Sequence, residues 1–574
     1  MFPYRTRLFS PRASLRTPIL LFVFLLVHGF SGTAASAQNY GSFSEAATMG
    51  APLPRRSIGV FDPDSNRTFF VYPAGADISC SDLDGQCSPS TSTLRVFNNV
   101  SNSWMSGSLA VGDAIAVADA HAYPAITISQ DGIVHVFSGG HGTPLVHRHT
   151  TMPTTHPSFN PLNASHWTAG SLPVGNIHRA TYPLVFLHRE GAADEELFLI
   201  WRQSSLLLGE TCGSTYFDPD GQNCVGKTYD PVYFSRFFRP TPGAAPIWST
   251  PVLLIDPAPF RTVNVNGQNV NRRYLDGWDR IYVNGAKQKG GHVLFSFTNT
   301  LQDNRKTDWH YFAVFDFDTR RIYGSVVYNG GSYNPAGGYV TLPQSVFDDP
   351  ASGFRYYKNT ATPQRRGGVA LDELPGSDQP QIFQTVTEDL VVCPSCNDEG
   401  SSTPRRTVRH FSWNRATNAW GNTRYYNGSS NPDSVEVFDV VYDTLPTGSN
   451  LDYRFHLYMG YERACKINFA TRTCPDGSSA SRCIWSADQG IFRHTKEQPS
   501  NGGNPTWTKH YIARFADDLT DFRYKHFALI HGRGGAAPPD MAGTFFLGTI
   551  DAYFRSCAWQ YPKSDQSLHF WNGN

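Results

Sequence analysis

The chain is 574 residues long, enough for one large core or several domains. Its 48 Lys and Arg balance 48 Asp and Glu, so no global charge draws it to nucleic acid, and no basic run does so locally. With 14% aromatics, 50 glycines, 39 prolines and few stretches carrying a 3.6-residue apolar period, the composition argues against a helical protein and for a turn-rich, all-β one.

In chain order, the first element is a targeting segment. Arg5, Arg7, Arg12 and Arg16 precede an apolar run from Pro18 to Phe30, and Ala35-Ser36-Ala37 offers a cleavage site. Residues 1–37 are therefore expected to be a signal peptide, and the run is short for a membrane span. Its removal takes away four arginines and no acid, leaving 44 basic against 48 acidic residues, a net charge of −4. A secreted, extracellular chain free of the membrane is the expectation. Ten cysteines fit that setting: the close pairs Cys80/Cys87, Cys212/Cys224, Cys393/Cys396 and Cys465/Cys474 suggest local disulfides, and Cys483 with Cys557 a longer one. Asn66, Asn99, Asn163 and Asn427 each begin a glycosylation sequon.

Residues 38–56 read as an irregular lead-in, and β-like runs then recur without a linker to the end, so 57–574 is expected to be a single domain. Trp104, Trp167, Trp248, Trp420 and Trp507 each follow a polar turn, at spacings of 63, 81, 172 and 87, the third being about two of the others. Such units, each holding several strands, predict a seven-bladed β-propeller. A propeller gathers loops of successive blades at one end of its channel, which directs attention to polar residues at strand ends.

Three hairpins carry such residues. Around Asp131-Gly132, two apolar alternations place His121 and His141 opposite each other, and Gly139, Gly140 and Gly142 leave the backbone open to a ligand. In the second hairpin, Tyr182 opens one strand and Arg202 ends its partner, so both fall at the same end. The third runs from Asp279 to Thr298 and has Tyr282 near its start. His135 and His292 alternate into strands as structural residues, whereas His147 and His149 are either groove residues or solvated.

The segments Asp119-Ala120-His121, Tyr123-Pro124-Ala125, Asp131–Phe137, Gly140-His141-Gly142-Thr143-Pro144-Leu145, Thr181-Tyr182-Pro183, Leu199–Arg202 and Arg280-Ile281-Tyr282-Val283 together resemble the BNR-repeat polysaccharide lyases, seven-bladed propellers that include ulvan lyases and rhamnose–glucuronate lyases. The match is dense over 119–203 and looser to about 317. Ala120 departs from the family's second acid, His147 stands where it often has Tyr, and Ile281 stands for Pro. The resemblance implies cleavage of a uronic-acid glycan, of the ulvan or rhamnosyl-glucuronate type, by β-elimination. It also implies His121, Tyr182, Arg202 and His141 as catalytic residues, with Asp119, His147 and Tyr282 at the substrate. The chemistry suits these residue types: a planar, permanently charged Arg neutralises the uronate carboxylate, and Tyr and His move the protons.

No catalytic cofactor is expected. A structural divalent cation, Ca or Zn, is allowed but has no predicted position. The expected partner of this monomer is its polysaccharide. Two other readings stand beside it. A glycoside hydrolase needs two carboxylates about the bond, and the matched segments are poor in acids. A carbohydrate-binding propeller would keep the aromatics but has no need of the His, Tyr and Arg set. A metal hydrolase lacks a supporting motif, and a sialidase lacks its Ser-x-Asp-x-Gly-x-x-Trp boxes.

Overall fold

The computed structural model describes residues 40–43, 58–74, 90–101, 103–115, 124–138, 144–173, 180–189, 195–203, 216–217, 228–241, 244–257, 260–274, 278–300, 309–324, 340–341, 354–358, 368–375, 379–392, 402–414, 416–417, 419–426, 433–443, 445–463, 472–473, 479–480, 490–514, 523–532, 544–550 and 568–572. The signal segment, all ten cysteines and Asn427 lie outside these residues. The described chain is almost wholly strand, with one short 3-10 turn at Ala164–His166. No helix among the described residues is long and apolar enough to cross a membrane.

The strands form the antiparallel blades of a β-propeller. Blade 1 begins with Gly59–Asp62, blade 2 with Ala125–Ile128 and blade 3 with Ala180–His188. Blades 4 to 7 begin with Trp278–Lys289, Val369–Leu374, Asp433–Tyr442 and Arg523–Gly532. These first strands are the innermost ones: blade 1 touches 2, 2 touches 3, 4 touches 5, 5 touches 6 and 6 touches 7 through them. Blades 7 and 1 meet in a parallel pair, His531 opposite Val60 and Gly532 opposite Phe61. Divided at that pair, the nine-stranded sheet yields two groups, and the described strands then fit seven blades.

Closure of the ring uses a segment expected to be irregular. Tyr40–Phe43 pairs antiparallel with Leu568–Asn572 and becomes the outermost strand of blade 7. Pairing the start of the chain with its end ties the first and last blades together and covers an edge that would otherwise be open.

The tryptophan period has a physical basis. Each of the five residues lies at the start of the outer layer of its blade: Trp104 in Ser103–Trp104, Trp167 in Trp167–Ala169, Trp248 in Ile247–Trp248, Trp420 in Ala419–Tyr426 and Trp507 in Thr506–Arg514. From there several of the rings reach the preceding blade. Trp248 packs 6.0 Å from Phe137 and donates its indole N–H to the Ser171 carbonyl. Trp420 sits 5.4 Å from Phe312 and 5.7 Å from Tyr356 of blade 4. The doubled gap in the sequence is blade 4, whose fourth strand Arg321–Tyr323 buries Ile322 instead.

Truncating such a wedge leaves a cavity between blades, so Trp420→Ala is expected to cost about 3 kcal/mol of stability. Trp507→Ala, at a ring that is 46% exposed, should cost clearly less. Denaturant midpoints measure both, and equal losses would contradict the wedge.

Candidate functional site

The site forms where blades 3 and 4 meet. The first two strands of blade 3 pair Ala180 with Gln203 and Thr181 with Arg202, then shift so that Leu184 faces Ile200. Two residues, Tyr182 and Pro183, thus oppose Trp201 in a β-bulge. Pro183 has no N–H to lose from the ladder there. Tyr182 itself takes φ = 61°, left-handed backbone that a bulky side chain adopts only at a cost of about 1–3 kcal/mol. The bulge re-aims its ring across the seam.

Arg202 lies under that ring, only 2% exposed. Its guanidinium carbon is 4.6 Å from the Tyr182 ring centre and 4.5 Å from that of Tyr282, which comes from the inner strand of blade 4. The two rings stand 6.2 Å apart at 53°. A short strand, Thr228–Asp230, crosses the seam: it pairs in parallel with Trp278–Arg280 of blade 4 and then enters the third strand of blade 3 through Pro231. Its last residue places the Asp230 carboxylate 4.0 Å from Arg202 Nε, both side chains being buried. Next to it, the Tyr229 hydroxyl donates to Asp256 at 2.9 Å, fixing this strand to blade 3. Below Tyr282, Asn284 donates to Thr298 at 3.2 Å.

Burial works against a charge on Arg202, but Tyr182, Tyr282 and Asp230 more than offset it, and the guanidinium is held above its ordinary value. It is a fixed cation in a site largely shielded from water. Such a cation favours the anionic form of a neighbouring phenol and any negative charge that develops beside it. The arrangement is therefore suited to moving a proton through a tyrosine oxygen under a positive field.

Of the residues expected from sequence, the structure brings Tyr182, Arg202 and Tyr282 together. Asp119, His121 and His141 lie outside the described residues. The hairpin between them is present, with Ala125 opposite Phe137 and Ile128 opposite Val134 about a turn containing Gly132 at φ = 78°. Asp230 was missed. Its signal was a Tyr-Asp-Pro step just before an alternating strand, but only the parallel pairing across the seam gives it meaning.

His147 requires a correction. It was expected at the substrate, yet it is 2% exposed and stacked 4.3 Å from Phe137 between blades 2 and 3. Its Nδ1 donates to the Ser171 carbonyl at 2.8 Å, which leaves Nε2 to accept from His135 Nδ1 at 3.1 Å. The strand alternation that puts Phe137 inside puts the residue opposite it inside as well. His135 and His292 are structural as expected, His292 bonding Glu373 of blade 5 at 2.7 Å. Although His135, His147 and His149 cluster, among the described residues no group of three or more His, Cys, Asp or Glu is arranged to hold a metal ion.

A family model described as "BNR repeat-containing family member" matches residues 92–230, well under half of the chain. That span runs through Tyr182 and Arg202 to Asp230 and stops short of Tyr282. Among curated proteins, none matches significantly. Solved structures similar in shape include a Penicillium chrysogenum α-L-arabinanase with arabinobiose, at 9% identity over 79% of this chain and 93% of that one, TM-score 0.34. They also include a Fusarium graminearum GH93 α-L-arabinofuranosidase with arabinobiose (10% identity, 79% and 92% covered, TM-score 0.33) and a Ruminococcus gnavus intramolecular trans-sialidase with oseltamivir carboxylate (8% identity, 94% and 98% covered, TM-score 0.34). At this similarity they bear on neither substrate nor mechanism.

Two outcomes follow from the geometry. Arg202→Met removes the cation next to a buried carboxylate and is expected to destabilise by about 3–5 kcal/mol, part of which the double variant with Asp230→Asn recovers. Chemical denaturation checks this, and a double variant no more stable than Arg202→Met would refute the pairing. The second outcome concerns acid. Burial holds His135 well below its ordinary value, with His147 and His149 adding to this, and lowers His147 from 6.5 to about 4. Burial likewise lowers His410 and His494 to about 4. A histidine kept neutral by the fold contributes stability that is complete above 6.5 and is lost as pH falls toward about 4. The thermal midpoint should drop through that window, and less steeply in His147→Gln; parallel curves would contradict the assignment.

Proposed function

We propose that this protein is a glycan-active enzyme that cleaves a uronic-acid polysaccharide by β-elimination, with Tyr182 as the central proton-transfer residue. The observation that supports it most is the buried Arg202 guanidinium packed against both Tyr182 and Tyr282, with Tyr182 kept in a strained bulge. Strain of this kind persists where the surrounding structure over-determines it, and it clusters at sites that need pre-organisation.

In the proposed reaction, the C5 proton of the uronate is removed, the C4–C5 double bond forms, and the C4–O bond breaks with a proton delivered to the departing oxygen. The C5 proton is weakly acidic because the adjacent carboxylate already carries charge. Arg202 supplies a positive field that lowers the cost of a phenolate at Tyr182 and of the charge developing in the transition state. His121 is the proton-transfer partner of Tyr182, and His141 assists Arg202 in neutralising the carboxylate. Tyr282 packs against Arg202 from blade 4 and supports the substrate end of the site from beneath, while Asp119 orients His121. Asp230 positions Arg202. The leading substrates are ulvan and glycans capped by rhamnosyl-glucuronate. The enzyme acts as a secreted monomer and uses no catalytic cofactor.

Incubation with ulvan and gum arabic is expected to raise the ultraviolet absorbance of a conjugated unsaturated uronate. Tyr182→Phe should lower the rate by about 10²–10⁴-fold, and Arg202→Lys, which keeps charge but not the planar stack, should lower it as well. Reducing ends released with no change in absorbance would identify a hydrolase. Binding of glycan without any cleavage would leave the non-catalytic propeller.

A further inference from the structure

A second feature lies two seams further round the ring, on the outer part of blade 6 where it meets blade 5. On the outer half of blade 6, Phe455 lies opposite Lys496 and Leu457 opposite His494. On the next pair, Lys496 lies opposite Trp507 and His494 opposite Lys509. Register and alternation therefore put Tyr453, Phe455, Leu457, His494, Lys496, Gln498, Trp507 and Lys509 on one face, and none of these eight is a carboxylate. The acid of this region, Glu497, is on the other face with Arg454.

The face turns toward blade 5, and its outer part is open. Trp507 is 46% exposed, and Lys509 is exposed. The Lys496 ammonium sits 5.2 Å from the Trp507 ring centre, 5.3 Å from Tyr453 and 6.0 Å from Phe455. One of its three N–H groups is used on the Tyr453 hydroxyl at 3.0 Å. From blade 5, Tyr425 meets Trp507 edge-on at 5.1 Å and fixes the tilt of the indole. The other wedge tryptophans are more deeply seated; here the indole is nearly half exposed, with Lys496 opposite it on the neighbouring strand and Lys509 two residues along its own.

We propose that the open outer part of this face is a non-catalytic binding site for an anionic polysaccharide. The exposed indole offers an apolar plate for the C–H face of a sugar ring, and Lys496 and Lys509 offer charge to carboxylate or sulfate groups on the same chain. The occupant is anionic because both formal charges among these described residues are positive while the mature chain is expected to carry −4. The site shares with the proposed function only its class of ligand.

The test reads binding and not cleavage. The full-length chain carrying Tyr182→Phe is run in native gels cast with polygalacturonate or, as the neutral control, with arabinan. Retardation is expected in polygalacturonate alone, and Trp507→Ala should weaken it about tenfold, a loss of the size expected for a stacked aromatic with a nearby cation. Because Trp507→Ala loosens a blade contact, Lys496→Met serves as a second variant: it keeps the stem against the rings, removes the charge, and should weaken retardation similarly. No retardation by polygalacturonate, or retardation untouched by both variants, overturns the inference. Retardation in both polymers that survives Lys496→Met overturns the anionic class. A dimer in sedimentation that Trp507→Ala dissociates, without glycan retardation, makes the face a self-association surface and overturns it too. Failure of the elimination assay does not touch these readouts.

Discussion

Everything at the candidate site depends on keeping one guanidinium charged while removing it from water. Desolvating an ion is expensive, and the fold meets that cost with two aromatic faces and one carboxylate, each drawn from a different piece of chain. Tyr182 is on the inner strand of blade 3, Tyr282 on the inner strand of blade 4, and Asp230 on the short strand that crosses between them. No single blade contains the arrangement. A guanidinium suits it, since a planar cation packs against aromatic rings and still presents N–H groups to a carboxylate, which a compact ammonium does less well.

A site divided between blades is only as well defined as the seam that carries it, so the ring must be stiff. Three devices supply that stiffness. Tryptophan wedges fill outer gaps between neighbouring blades. The strand Tyr40–Phe43 closes the last blade with the beginning of the chain. At the far end of the blade 4 inner strand from Tyr282, Lys287 reaches Asp372 of blade 5 at 3.0 Å and Asp439 of blade 6 at 3.5 Å, and it also donates to the Val440 carbonyl. Lys289 joins Asp372 at 2.6 Å. Burial opposes the charge on Lys287, but the two aspartates more than compensate and hold its value up. One lysine thereby fastens three blades, and the strand that presents Tyr282 is pinned at its other end.

The parts of this arrangement that were legible in the sequence are the local ones. Hairpin partners lie close in the chain, so the positions of Tyr182 against Arg202 and of Tyr282 near the start of its strand follow from strand alternation and loop length. The tryptophan spacing was legible because five of the blades repeat the same outer-strand start. What escaped depends on contacts between distant segments. Asp230 gains its role from a parallel pairing with Trp278–Arg280, which no local pattern announces. His147 looked accessible because its strand reads His-Arg-His, half polar; its burial comes from Phe137 on one side and from Trp248 of the next blade on the other. The lead-in was read as irregular because four residues, Tyr40–Phe43, carry almost no pattern until the last strand offers them a ladder.

The left-handed backbone of Tyr182 separates what folding requires from what the site requires. A glycine there would make the same bulge without strain, and a bulky residue directly before proline is among the least suited to that region. The ring returns part of the cost by covering Arg202, but Tyr282 also covers it, and a second apolar side chain in ordinary backbone would shield the cation as well. What only tyrosine adds is a hydroxyl carried to the seam beside a fixed positive charge. The strain is thus accounted for by where it puts the side chain rather than by any gain in packing, and for this reason the proposed chemistry rests on the bulge more than on the surrounding core.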